Sequence, residues 1–374
     1  MSMRGQTAII GIGELPTQRT YPGRSMYGLC ADAARIAIAD AGLTKADIDG
    51  LVVEGGNTSP ASMADYLQIR PNYSVGVSMQ GASGATSVAT AAAAINAGLC
   101  NYALIVMGSA RDSQPSRPPG ATRPAGGAGA GSIGTEFEAP FGPAQGAGTG
   151  YALMYRRHMY EYGTTPEQMA KLAVDQRFNA LKNPNSAFQG VPITVDDVLN
   201  SRFVNEPLHL LECVMPSAGA AAAILTTADR ARSGPNRPVY LLGAGLEQAN
   251  AQIWETEKIT TTPARVSAQR AYRMSGYGPR DVQFAEFYDC YTILIAMTIE
   301  DAGLAPKGEV GPFYESTDTT YKGSFPINTD GGQISSGQPG LAGGFRHVIE
   351  AARQIMGRAG ERQVVRNDLC LVNG

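Results

Sequence analysis

Two stretches of this chain recur without a gap, and that recurrence constrains the fold more than any other feature. Ala41-Gly42 falls on Ser275-Gly276, and the same register places Asp47 on Asp281. A second register sets Gly81-Ala-Ser-Gly84 and the helix running to Gly98 against Gly340-Leu-Ala-Gly343 and the helix running to Gly357. After each comes an apolar strand that ends in Gly108 or Gly374. Solenoid units repeat every 20 to 50 residues or so, and this period is far longer. The pattern predicts two halves of like topology.

The local signals agree. Gln6 to Gly13 reads as a buried strand, Met26 to Ala41 as a helix stopped by Gly42, and Thr44-Lys-Ala-Asp47 as a capping-box-like start before the strand Gly50 to Glu54. The order returns as a strand over Arg237 to Gly243, a helix over Ser267 to Ser275, a turn at Gly278-Pro-Arg-Asp281 and a strand over Val282 to Phe287. Ser113 to Gly150, rich in Gly, Ala and Pro, reads as a long loop, either a binding loop or lid or a disordered segment. A helix over Tyr151 to Tyr162 follows, then the capping box Thr165-Pro-Glu-Gln168 with proline at the first helical position, and a further helix start at Thr194-Val-Asp-Asp197. The expected division is an N-terminal half over 1–235, including the loop region 113–205, and a C-terminal half over 236–374.

Composition removes several function classes. A chain of 374 residues with 43% apolar content can bury a sizeable core. A net charge of -3 and no Lys/Arg-rich run argue against nucleic acid. No apolar run approaches the roughly 20 residues of a membrane span, and the N-terminus lacks a signal-peptide pattern, so the expectation is a cytoplasmic protein. Five cysteines without a C-x-x-C pair and three histidines predict neither a disulfide framework nor a metal centre.

Several segments in matching order point to one family: AIIGIGELP, DAGLTKADIDGLVVEG, GASGATSVATAAAAINAG, YALIVMGS, EFYDCYTI, EDAGLAPKGE and NTDGGQISSGQPGLAGG. The chain resembles the thiolase superfamily, in the branch of sterol-carrier-protein-type thiolases, bacterial lipid-transfer thiolase-like proteins and steroid side-chain aldolase-like members. The resemblance implies an α/β, five-layered αβαβα fold of two similar halves. It also implies an acyl-CoA substrate with no cofactor beyond the CoA it carries, a homodimer, and a small zinc-ribbon/OB-fold partner protein. Relatives continue past the position of Asn373-Gly374 through a glycine-rich turn and a final strand, which leaves open a truncation before that strand or a further tail. In this fold two helix N-termini, each with free N–H groups, converge where a thioester oxygen gains charge.

The family's Cys-x-Ser-Gly motif stands here as Gly81-Ala82-Ser83-Gly84, so no acyl-enzyme can form at that position. Ser83 as a substitute nucleophile would need an adjacent base; the plainer reading is that it and the glycines permit close helix packing. The branch's His-Asp-Cys-Phe motif stands as Tyr288-Asp289-Cys290-Tyr291. Tyr288 can donate to an oxyanion or, if its pKa falls from about 10, act as a base. Cys290 keeps the acid/base position, while Tyr291 and Cys370 read as core. The third motif, Gly-His-Pro, stands as Gly337-Gln338-Pro339, where aldolase-like members carry a second tyrosine. An amide holds an oxygen or a water without shuttling protons.

The candidate catalytic residues are therefore Tyr288, Cys290 and Gln338, and the candidate substrate- or oxyanion-binding residues are Gly81, Ser83, Gly337 and Gly343. Gly331, Gly332, Gly340 and Gly344 complete a glycine-rich loop expected to offer backbone N–H groups. Arg156, Arg157 and Arg177 read as solvated charges, with contact to CoA phosphates as the alternative. The reaction these groups fit is retro-aldol cleavage of a β-hydroxyacyl-CoA, which needs proton transfer and enolate stabilisation but no nucleophile. Two alternatives are a non-catalytic acyl-CoA-binding or complex-forming protein, and an acyltransferase with a displaced nucleophile.

Overall fold

A computed structural model describes residues 3–56, 58–111, 147–249 and 256–374. The first half runs β1 (Thr7–Glu14), α1 (Met26–Asp40), β2 (Gly50–Glu54), α2 (Pro60–Leu67), β3 (Tyr73–Val77), α3 (Ser83–Asn96) and β4 (Tyr102–Ser109). Next come α4 (Ala147–Tyr162), α5 (Pro166–Ala180), α6 (Val195–Asn200), a small hairpin of β5 (Phe203–Asn205) and β6 (Leu208–His209), and β7 (Gly219–Thr227). The chain continues with β8 (Val239–Tyr240), α7 (Ala264–Ser275), β9 (Phe284–Phe287), α8 (Thr292–Asp301), α9 (Gly332–Ser336), α10 (Ala342–Ile355) and β10 (Cys370–Asn373).

Six strands form one sheet in the order β3-β2-β4-β7-β1-β8, and β9 pairs in parallel with β10 in a second. The apolar faces account for the layering. Leu29, Ala33 and Ala37 of α1 pack with Ile10, Leu51 and Leu104 on one face of the large sheet. On its other face Val88, Ala91 and Ala92 of α3 join Phe345, Ile349 and Ala352 of α10. Beyond the second sheet, Phe287 packs with Ile293, Ile295 and Met297 of α8. Helix, sheet, helix, sheet and helix thus stack as the expected five layers.

The repeat has a structural counterpart. Gly42 and Gly276 end α1 and α7 with φ of 71° and 73°. Each leads into a one-turn helix whose aspartate accepts a backbone N–H: Thr44 N to Asp47 at 2.8 Å, and Gly278 N to Asp281 at 2.7 Å. The boxes at Thr165 and Thr194 form as written, Thr165 with Gln168 and Thr194 with Asp197.

Three readings change. The strand expected over 237–243 is only Val239–Tyr240, and it hydrogen-bonds to β1 of the large sheet, not to a sheet of the second half. Most of the loop expected over 113–150 lies outside the described residues, while 147–150 already form the first turn of α4. Arg177 is not a solvated charge. It is 3% exposed, with Phe188 stacked 4.1 Å from its guanidinium and its Nε donating to Ser335 at 3.1 Å. Arg156 and Arg157 do sit at the surface, paired with Glu206 and Glu161.

Among the described residues no helix is long and apolar enough to cross a membrane. The halves are tied by buried ion pairs. Glu14 of β1 accepts from Arg346 at 2.5 Å and Arg353 at 2.8 Å on α10, Arg346 also meets Asp330, and Glu350 pairs with Arg353 and Arg362.

Candidate active site

The centre lies where the N-termini of α3 and α10 meet. A Cβ at Gly84 would come within 2.5 Å of the Phe345 backbone, so the two helices touch main chain to main chain. At Gly81 a Cβ would lie 2.5 to 2.9 Å from three carbons of the Tyr288 ring. The space that a residue-81 side chain would fill is therefore taken by the phenol. Gly81 and Tyr288 form one coordinated change.

Tyr288, 50 residues from Gln338 in sequence, accepts a hydrogen bond from the Gln338 amide: Nε2 to Oη is 2.9 Å. A single segment brings the two together. Val214 N donates to Cys290 O at 3.1 Å, Gln338 N donates to Met215 O at 2.9 Å, and Ser217 N donates to Gln338 O at 2.9 Å. With one Oη lone pair held by the amide, the phenol proton is left to donate elsewhere. Burial pushes the Tyr288 pKa well up, Cys290 and Asp289 add to this, and the Gln338 bond only partly opposes it. At neutral pH Tyr288 is a phenol. The alternative of a lowered-pKa phenolate does not hold.

Cys290 is 7% exposed and its thiol is pushed well above its ordinary range by burial, with Tyr151 partly opposing this and Asp289 adding to it. It too is neutral. Tyr291 packs tilted against Tyr151 with ring centroids 4.7 Å apart, and its hydroxyl is pushed up to about 12 by burial.

The other candidates take different parts. Ser83 is fully buried, its hydroxyl donating to Gln80 O at 2.7 Å and accepting from Met79 N at 2.9 Å, so it is committed to the turn before α3. Gly337, at φ 93°, donates its N–H to Gln333 O and gives its carbonyl to Arg346. The N–H of Gly343 donates to Gly340 O, and a Cβ there would strike Gln333 and Gln338. These N–H groups are occupied within the loop and are not the thioester donors expected. A Cβ at Gly81 or at Gly343 would collide with Tyr288 or Gln338, so both glycines make room for those side chains.

Motif reading missed Tyr151, Asp289, Gln333 and His347. Asp289, fully buried, accepts from Gln333 N at 2.8 Å and Ile334 N at 3.2 Å, so it caps α9. His347 Nε2 lies 3.2 Å from the same carboxylate. The available signal was the run Arg346-His347-Val-Ile-Glu350 in a helix otherwise destined for the core. An apolar cavity of about 390 Å³ opens between β8 and β10; its lining includes Ala82 and Phe287, the chain neighbours of Gly81 and Tyr288, although Tyr288, Cys290 and Gln338 do not line it.

Comparison with known proteins places this geometry. The family described as thiolase C-terminal domain-like matches residues 245–374. An acetyl-CoA acetyltransferase of Methanothermobacter thermautotrophicus is 33% identical over 96% of this chain and 92% of its own length. The chain belongs to the thiolase superfamily. A steroid side-chain-cleaving aldolase of Thermomonospora curvata is 32% identical over 94% of this chain and 91% of its own. The solved structure of an Ltp2-ChsH2(DUF35) aldolase superposes with a TM-score of 0.86 at 31% identity, covering 96% of this chain and 91% of that one. Identity alone does not separate acetyl transfer from aldol cleavage within the superfamily. The contents of the centre must do so.

Proposed function

We propose that this thiolase-superfamily protein cleaves the Cα–Cβ bond of a β-hydroxyacyl-CoA by a retro-aldol route, without an acyl-enzyme. The observation that carries the reading is the Tyr288–Gln338 pair, filling at 2.9 Å the space next to Gly81 where a cysteine nucleophile would have stood. A transferase of this fold needs a thiolate and an imidazole base there. A retro-aldol step needs only that a proton leave the β-hydroxyl, that the enolate be stabilised, and that a proton reach the α-carbon.

Tyr288 fits these needs as a phenol. Its proton, unclaimed by Gln338, is handed to the α-carbon as the Cα–Cβ bond breaks, and the β-hydroxyl proton passes to the phenol oxygen in the same step, so the phenol is restored. Gln338 fixes the angle of the hydroxyl. Cys290, neutral and next but one to Tyr288 in the chain, takes no covalent role. The similarity to an enzyme named as a steroid side-chain-cleaving aldolase supports a bulky acyl group. CoA enters as part of the substrate, with no separate cofactor.

The partners in this reading are a second copy of the chain and a small zinc-ribbon/OB-fold protein. ChsH2(DUF35), named beside Ltp2 in the similar aldolase structure, supports the latter.

The test is to incubate the protein, alone and with such a partner, with a β-hydroxyacyl-CoA of a bulky acid. A ketone or aldehyde and a shortened acyl-CoA in equal amounts are expected. A labelled acyl group trapped on the protein would overturn the assignment.

A further inference from the structure

We propose that His347 is a positioning residue for the Tyr288 hydroxyl, acting through Asp289. The inference rests on the reading of Tyr288 given above.

His347 lies on α10, 1% exposed, between two carboxylates: Nε2 is 3.2 Å from Asp289 Oδ1 and Nδ1 is 3.9 Å from Glu286 Oε2. Three other buried carboxylates near this helix have arginines. Glu14 has Arg346 and Arg353, Asp330 has Arg346, and Glu350 has Arg353 and Arg362. Asp289 and Glu286 face His347 instead. The titratable groups around the ring are Glu286 from β9, Tyr288 and Asp289 just after it, and Asp330 ahead of α9; the Tyr288 ring stands edge-on at 6.5 Å.

Two consequences follow. Asp289 sits between Tyr288 and Cys290 in the chain, so the imidazole and the N–H groups of Gln333 and Ile334 together hold the turn that carries both side chains. The imidazolium also cancels a carboxylate that would otherwise push the Tyr288 proton further from release. Burial draws the His347 pKa down, but the neighbouring carboxylates of Asp289 and Glu286 outweigh it and hold it up at about 9. The ring is therefore charged at neutral pH. As pH rises through about 9 it is lost as a cation, and with it the counter-charge of Asp289.

The experiment compares wild type with His347→Gln, His347→Lys, Asp289→Asn and the Asp289→Asn/His347→Gln double variant in the retro-aldol assay across pH. His347→Gln is expected to lower kcat roughly 10- to 100-fold with KM within about twofold, and to erase the alkaline limb near pH 9. His347→Lys should recover part of the loss, and the double variant should be no worse than Asp289→Asn alone. Unchanged kcat and pH profile in a folded His347→Gln protein would overturn the proposal, as would additive losses in the double variant.

A second measurement needs no variant. The chain has three histidines, so nitrogen-15 histidine NMR of wild type can follow this ring, and a neutral His347 at pH 7 would equally refute the idea. Tyr288→Phe separates the two levels: full turnover in that variant sinks the reading of Tyr288 itself, whereas its loss beside an unaffected His347→Gln sinks only the role of His347.

Discussion

Placing a methyl group on residue 81 tests whether Gly81 and Tyr288 are one unit. The new Cβ would stand 2.5, 2.6 and 2.9 Å from Cζ, Cε2 and Cε1 of Tyr288. Carbon atoms rest at about 3.5 to 4.0 Å, so the ring must retreat by about 1 Å. The Gln338 amide, now 2.9 Å from Oη, would then be left near or beyond hydrogen-bond range. Overpacking of this kind costs about 1 to 3 kcal/mol, and the lost bond about 1 kcal/mol more. A displacement of about 1 Å at a reacting group costs up to about 100-fold in rate. Gly81→Ala is therefore expected to unfold at lower urea and to lose about two orders of magnitude in kcat/KM. In Gly81→Ala/Tyr288→Leu the smaller side chain relieves the clash, so the two stability losses should fall short of additive by about 1 to 3 kcal/mol. A Gly81→Ala protein with wild-type stability and turnover, or a strictly additive double variant, would refute the coupling.

Further outcomes follow from the buried charges and thiols. Glu14→Gln should cost about 3 to 5 kcal/mol, since it leaves Arg346 and Arg353 with an unmatched buried charge, read out by urea denaturation at pH 7. Burial opposes the ionised form of Glu14, but the two arginines hold its pKa at about 2. Its contribution is thus present above about pH 4.5 and fades as pH falls toward 2, and Glu14→Gln should flatten that part of the stability profile. His347, held up at about 9 in the fold, has the opposite sign: its contribution is full below about pH 6.5 and is lost as pH rises through 9. Cys290 in the native protein should resist iodoacetamide at pH 8, because its buried thiol stays protonated, and mass spectrometry after tryptic digestion would report it.

Much of the architecture was legible because it rests on local chemistry. The stop at Gly42, the boxes at Thr44, Thr165 and Thr194 and the runs of β1, β2 and β4 are fixed within a few residues of themselves. The strand over 237–243 was misplaced because apolar content does not say which sheet a strand joins; β1 offered the available edge. In the candidate site, Tyr288 and Gln338 stood out as departures from the family's motifs. Their mutual bond did not, since it depends on the segment around Met215 stitching two loops together.

The glycines misled in an instructive way. Free N–H groups were expected at Gly337 and Gly343, but these two donate to Gln333 O and Gly340 O, and a Cβ at Gly343 would strike Gln338. His347 was hidden for another reason. Weighed only as a metal ligand, a lone histidine on a helix says little; its meaning comes from Asp289 and Glu286, which lie far from it in sequence.

The most direct measurement of the central claim is the turnover of a β-hydroxyacyl-CoA by Tyr288→Phe, which removes one oxygen and leaves the ring beside Gly81. A folded variant with carbonyl release reduced by about 100-fold or more is the predicted result. Undiminished release would contradict the assignment of the Tyr288 hydroxyl to the chemistry.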